Sequence, residues 1–170
     1  YTYRTCWFDG DWFDKETYEE DFETPLEGWS VITIDKTKSQ YGEILSSVNG
    51  QNVTNLVSTF WGCESLERAP SIPNTVIDLF YTFYDCKKLE QSPSIPNGVI
   101  NMNSTFSDCV SLIKAPIIPE NVINMGGTFY GCTLLTNVPN IPSKVTDMGI
   151  TFYYCESLTT VPAIPSMVDM

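Results

Sequence analysis

From Val53 onward the apolar positions follow a fixed order that returns every 23 residues. Phe60, Phe83, Phe106, Phe129 and Phe152 form one column, each preceded by threonine. Cys63, Cys86, Cys109, Cys132 and Cys155 form a second, and Leu66, Leu89, Leu112, Leu135 and Leu158 a third. A proline-x-isoleucine-proline segment closes each unit, with Ile72, Ile95, Ile118, Ile141 and Ile164 between its prolines. Five units, opening at Val53, Val76, Val99, Val122 and Val145, run to Met167 and take up 115 of the 170 residues. A unit this small cannot bury an apolar face alone, but stacked units cover one another. Equivalent side chains then lie about 4.8 Å apart and form interior ladders. Inserting one residue would put every later column out of register, so the constant length is a packing demand.

Within a unit, Val76-Ile77-Asp78-Leu79 and its equivalents are short and β-branched and read as strand. The T-F-x-x-C-x-x-L run spaces its apolar residues one turn apart and predicts a short helical or 3-10 turn. The prolines of P-x-I-P exclude a helix and cannot donate to a ladder, so that segment is expected to be extended with its isoleucine inward. The expected fold class is a β-rich repeat solenoid of 23-residue units with short parallel strands and short helical turns.

The order leucine, isoleucine-proline, valine, large aliphatic, phenylalanine, cysteine is filled by Leu89, Ile95, Pro96, Val99, Met102, Phe106 and Cys109. It resembles the BspA-like leucine-rich repeats of bacterial surface proteins, over about two thirds of the chain. Two departures stand out: threonine replaces alanine before each phenylalanine, and an extra proline sits two residues before each isoleucine. The resemblance implies a leucine-rich-repeat solenoid displayed outside the cell, on a bacterium or a phage, and used for adhesion. It supplies no ligand.

The flanks differ from the repeat. Residues 1–28 hold eight aromatics, nine acids and two basic residues. That aromatic density argues for strands or a hairpin, around Tyr3–Phe8 and Asp11–Phe13 with a turn at Asp9-Gly10, rather than disorder. Residues 29–52 read as a divergent capping unit with a strand over Trp29–Ile34. Tyr41, Ile44, Leu45 and Val48 then fall on one helical face, capped by Ser39 and ended by Asn49-Gly50. A 22-residue shift puts Tyr41 in the Cys63 slot. Residues 168–170 begin a sixth unit. A chain opening on Tyr1 and stopping there is expected to belong to a longer, processed parent, with self-association through the C-terminal end as the rival.

Charge and chemistry narrow the function. The formal net charge is −12 and histidine is absent. An acidic surface disfavours nucleic acid and anionic lipid, and no apolar run approaches the length of a membrane span, so neither partner is expected. Without histidine the usual general base is missing, and titratable residues are scattered singly over repeat slots, so no enzyme and no cofactor are expected. The acids Glu16, Glu19, Glu20, Asp21 and Glu23 are read as a solvated face. Cysteines 23 residues apart lack the paired short spacings of metal sites and read as small core fillers, with a Cys6–Cys63 bridge as an alternative. Asn55, Asp78, Asn101, Asn124 and Asp147 are expected to satisfy loop backbone groups in each unit, with calcium as the alternative.

The candidate binding residues are aromatic. The slot after each T-F carries Trp61, Tyr84, Ser107, Tyr130 and Tyr153, and neighbouring slots add Phe80, Tyr81 and Tyr154. Pointing outward, they would form an amphipathic strip for a protein or glycan on a host or neighbouring cell surface. The competing explanation is that the rings pack on one another and stabilise the stack. Free slots such as Glu64, Lys87, Val110, Thr133 and Glu156 are where specificity is expected. Together these features predict a non-enzymatic extracellular recognition or adhesion module, or else a structural spacer or filament subunit.

Overall fold

The computed structural model describes residues 35–166 except 49, 139 and 161. The strands expected within residues 1–34, and Cys6, lie outside the described residues. Successive units stack as coils joined at two corners by parallel bridges. One column runs Asn55, Asp78, Asn101, Asn124, Asp147, and the other Arg68, Gln91, Lys114, Asn137, each step 23 residues.

The ladders form the core. Phe60, Phe83, Phe106 and Phe129 are fully buried and stack face to face, with Phe152 continuing the column. Their ring centroids are 5.1, 5.5, 5.9 and 6.0 Å apart and no pair is tilted by more than 8°. The valine, leucine/methionine, cysteine and leucine columns bury beside them, as do Ile72, Ile95, Ile118 and Ile141. In the fifth coil Phe152, Cys155 and Leu158 are only partly buried, and Ile164 is exposed.

The expected strands contract to single-residue bridges, and among the described residues no helix forms. Backbone bonding in the third coil explains both differences. Thr105, Ser107, Cys109 and Leu112 each donate an N–H to the carbonyl three residues back. The alternate N–H groups, of Met102, Ser104, Phe106 and Asp108, instead donate forward to Asn124, Gly126, Thr128 and Tyr130 of the next coil at 2.7–2.9 Å. Every second amide is thus withdrawn from local bonding, which a helix cannot tolerate. Left-handed residues set that geometry. In all five coils the third residue of each of two turns has positive φ: Ser58 and Gly62, Tyr81 and Asp85, Ser104 and Asp108, Gly127 and Gly131, Ile150 and Tyr154. A positive φ at that place is the mark of a type II turn.

The segment before Val53 also departs from expectation. No helix covers residues 41–48. Instead β1 (Ser47–Val48) pairs antiparallel with β2 (Gln51–Asn52), and Gly50 takes φ 77° in the turn between them. Asn-Gly is a strong hairpin signal, and Gly42 weakens the competing helix. The register is corrected as well. Gln40 bridges Arg68, a 28-residue step, so Tyr41 does not occupy the Cys63 slot. Ile44 is buried at 2% exposure and the Tyr41 ring packs 5.3 Å from Phe60, so this segment covers the first coil.

A candidate contact surface on the outer turns

The polar columns hold the turns in place. In each coil the Asn or Asp side chain accepts the N–H two residues on, as Asn101 Oδ1 does from Asn103 at 3.0 Å and Asp147 Oδ1 from Gly149 at 3.0 Å. These Asx turns satisfy loop amides coil by coil, as the sequence predicts. Among the described residues no three acids or cysteines converge on a common point.

Thr82, Thr105, Thr128 and Thr151 are buried, and the last three each place their hydroxyl between two carbonyls. Thr105 Oγ1 lies 2.8 Å from the Met102 carbonyl and 2.9 Å from that of Leu79 in the preceding coil. An alanine there would leave those carbonyls short of a donor, which gives threonine its physical reason. The cysteines do more than fill space. Cys86, Cys109, Cys132 and Cys155 donate Sγ–H to the phenylalanine carbonyl 26 residues back, at 3.0–3.1 Å. Cys63 has no such partner in front of it and lies 3.4 Å from the Tyr41 hydroxyl, which donates to the Asp35 carbonyl at 2.7 Å. Its thiol is free, and Cys6 lies outside the described residues. Burial pushes the Cys86 and Cys109 thiols well above their ordinary value and Cys155 to about 11. Thiols held protonated are poor nucleophiles and poor metal ligands.

The aromatic candidates gather in two groups rather than one strip. In the first, Phe80 and Tyr81 pack edge to face at 4.3 Å, Tyr81 and Tyr84 lie 5.1 Å apart, and Trp61 meets Tyr84 at 6.3 Å. Lys36 Nζ sits 5.7 Å above the Trp61 ring, a cation–π contact that the sequence did not signal. In the second group Tyr130 stacks on Tyr153 at 5.7 Å, and Tyr154 packs edge to face on both. Trp61 is 53% exposed and Tyr153 and Tyr154 similarly so, whereas Phe80, Tyr81, Tyr84 and Tyr130 are half-buried. The rings therefore pack on one another and also face solvent.

Between the groups the third coil presents Asn103, Ser104 and Asp108, with Ser107 buried beneath them. Burial, and then the nearby Asp108 carboxylate, raise the Tyr84 hydroxyl above its ordinary range. Ile150, 65% exposed beside the second group, escaped the sequence reading because its left-handed turn carries no glycine signal. Ile77, Ile100 and Ile123 form another exposed ladder, next to the Asn/Asp bridge column. Of the free slots, Glu64 and Lys87 pair with each other at 2.8 Å, and Thr133 bonds the Val110 carbonyl at 3.3 Å.

No helix among the described residues is long and apolar enough to cross a membrane. No protein of curated function matches the chain. Among solved structures, it is similar to a leucine-rich repeat protein of T. pallidum (27% identity, TM-score 0.63), covering 72% of this chain and 57% of that one. It is also similar to a leucine-rich repeat protein from Bacteroides ovatus (27% identity, TM-score 0.56), covering 75% of this chain and 37% of that one. The chain thus spans less than two thirds of either protein. A family pattern described as the BspA type leucine rich repeat region matches residues 54–169 in six copies. Stacked coils with these ladders, matched along most of their length, are what that pattern encodes, and the chain belongs to the BspA-type leucine-rich repeat family.

Proposed function

We propose that the chain is a non-enzymatic recognition module, a solenoid of 23-residue coils that acts at the cell surface by binding a protein or glycan partner through its outer turns. One observation carries this reading. Seven aromatic side chains, Trp61, Phe80, Tyr81, Tyr84, Tyr130, Tyr153 and Tyr154, sit outside a core that is already filled by the phenylalanine column. Rings on fixed turns present a large area with a polar tip at little entropic cost. Family membership supports an interaction role, and the family's association with bacterial surface proteins supports the location.

The test is a binding screen of the labelled chain against arrayed extracellular proteins and glycans, repeated with alanine at Trp61, Tyr84, Tyr130 and Tyr153. Ligands bound by the parent and lost by the variant support the reading. Ligands bound equally by both would contradict it.

A second reading is self-association through the fifth coil, favoured by the partial exposure of Phe152 and Leu158 beside an exposed Ile164. Mass measured by light scattering over a range of concentrations decides it: growth supports assembly and a constant monomer mass rejects it.

A further inference from the structure

We infer that the third coil forms a saccharide subsite, in which a neutral, hydroxyl-rich chain lies along the stack with its rings against Tyr84 and Tyr130 and its hydroxyls on Asn103, Ser104 and Asp108. The inference rests on the reading of the outer turns as a contact surface and names the ligand class.

The third coil is the interruption in an otherwise aromatic column. Trp61, Tyr84, Tyr130 and Tyr153 occupy one slot in the other coils, and Ser107 occupies it here. The neighbouring outer slots of this coil hold Asn103, Ser104 and Asp108, where the second coil holds Phe80, Tyr81 and Asp85. Ser107 is only 3% exposed, and among the described residues its hydroxyl has no hydrogen-bond partner. A buried hydroxyl left in that state is unfavourable unless something supplies the bond.

The fourth coil makes room for these groups. Gly126, Gly127 and Gly131 stand in the outer slots where the third coil carries Asn103, Ser104 and Asp108. A Cβ at Gly126 would come within 2.9 Å of Asn103 Nδ2, and one at Gly127 within 2.9 Å of Ser104 Oγ. One at Gly131 would collide with the Asp108 carboxylate. The polar groups of the third coil therefore lie across the bare backbone of the fourth. Internal bonds orient the first two: Ser104 donates to Asn103 Oδ1 at 3.0 Å, and Asn103 Nδ2 donates to Asn124 Oδ1 at 3.4 Å. Each keeps unused capacity, since a carboxylate accepts at several positions and an amide has two donors.

This alternation selects the ligand. A sugar chain presents apolar C–H faces and ring hydroxyls in turn, which suits aromatic faces on either side of an amide, a hydroxyl and a carboxylate. An apolar protein surface would lose contact over the third coil and leave its polar groups unpaired. A phosphate or sulfate chain would meet the Asp108 carboxylate, while Lys87, 3.5 Å from Asp85, is already paired with Glu64 at 2.8 Å.

The experiment is titration calorimetry of the whole chain with linear neutral hexasaccharides of glucose, mannose, galactose and N-acetylglucosamine. At least one is expected to bind. Asn103→Ala and Asp108→Asn should each weaken it about tenfold, the loss that follows from one hydrogen bond to a charged or paired group. Tyr130→Leu should weaken binding and Tyr130→Phe retain it, which separates ring stacking from a folding defect. Ile100→Ser, at the bridge edge, should bind as the parent does. No heat with any hexasaccharide at millimolar concentration would overturn the inference, as would binding indifferent to Asn103 and Asp108. If arrayed proteins bind and the aromatic variants lose them while sugars fail, the contact surface stands and the saccharide falls. If the aromatic variants bind every ligand as the parent does, the contact surface falls too.

Discussion

Cys109 Sγ donates to the carbonyl of Phe83, 3.1 Å away and 26 residues earlier, and the same bond recurs through the stack. It ties each coil to the one before it at a carbonyl that also accepts the Cys86 N–H of its own coil, at 3.2 Å. Replacing Cys109 by alanine removes the donor and opens a small cavity, at an expected cost of about 2 kcal/mol. Serine keeps a donor and should cost less. Urea unfolding of the two variants checks the order; equal losses would mean that the thiol acts by volume alone.

Alkaline pH should expose the same column. An acid whose folded pKa is raised gives up its proton first in the unfolded chain, so folding loses stability as pH climbs past the unfolded value, 9.0 for these thiols. Below that value both states are protonated and the contribution is constant. Above it each buried thiol removes about 1.4 kcal/mol per pH unit, until the folded value is reached at about 11 for Cys155. Unfolding free energies at about pH 8 and about pH 10 should differ less in Cys109→Ser than in the parent, because a serine hydroxyl does not titrate in that window. An equal difference would show that the thiols ionise freely in the folded chain.

Thr105→Val keeps the volume and discards the hydroxyl that serves the Leu79 and Met102 carbonyls. The expected loss is about 1–2 kcal/mol with an unchanged denaturant slope. A neutral result would show that the carbonyls are satisfied by their backbone donors alone.

These columns were legible in the sequence because they repeat: Phe106, Cys109, Leu112 and Ile118 are each buried and each one step from their equivalents. The isoleucines of P-x-I-P also turn inward as expected, except Ile164. The turns were not legible. Phe60, Cys63 and Leu66 carry helical spacing, but that spacing arises from successive turns whose left-handed residues are glycine in only three of ten places, Gly62, Gly127 and Gly131. Residues such as Tyr81, Asp85 and Ile150 give no local sign of positive φ, because coil-to-coil bonding imposes it. Asn49-Gly50 did carry a signal, and it was for a hairpin rather than a helix stop. The contact surface was half visible. Its rings could be named one by one, whereas the polar third coil that divides them emerges only when the columns are laid side by side.

Ile150 is the β-branched residue held at φ 53°, a conformation that costs L-residues about 1–2 kcal/mol. Asparagine adopts it readily, and the isoleucine side chain is mostly in water. Ile150→Asn should therefore raise stability by about 1 kcal/mol in urea unfolding. If the exposed side chain serves contact, the same variant should bind more weakly while unfolding later. A loss of stability would show that Ile150 packs to advantage against the Tyr130 group.

The most direct test sets the aromatic rings against the core on which they stand. Alanine at both Tyr84 and Tyr130 should leave the melting temperature close to that of the parent, because the phenylalanine column beneath them is complete, and should abolish partner binding. A melt lowered as far as by Phe106→Ala, with an expected cost of about 3–5 kcal/mol, would make the rings part of the core and contradict the account.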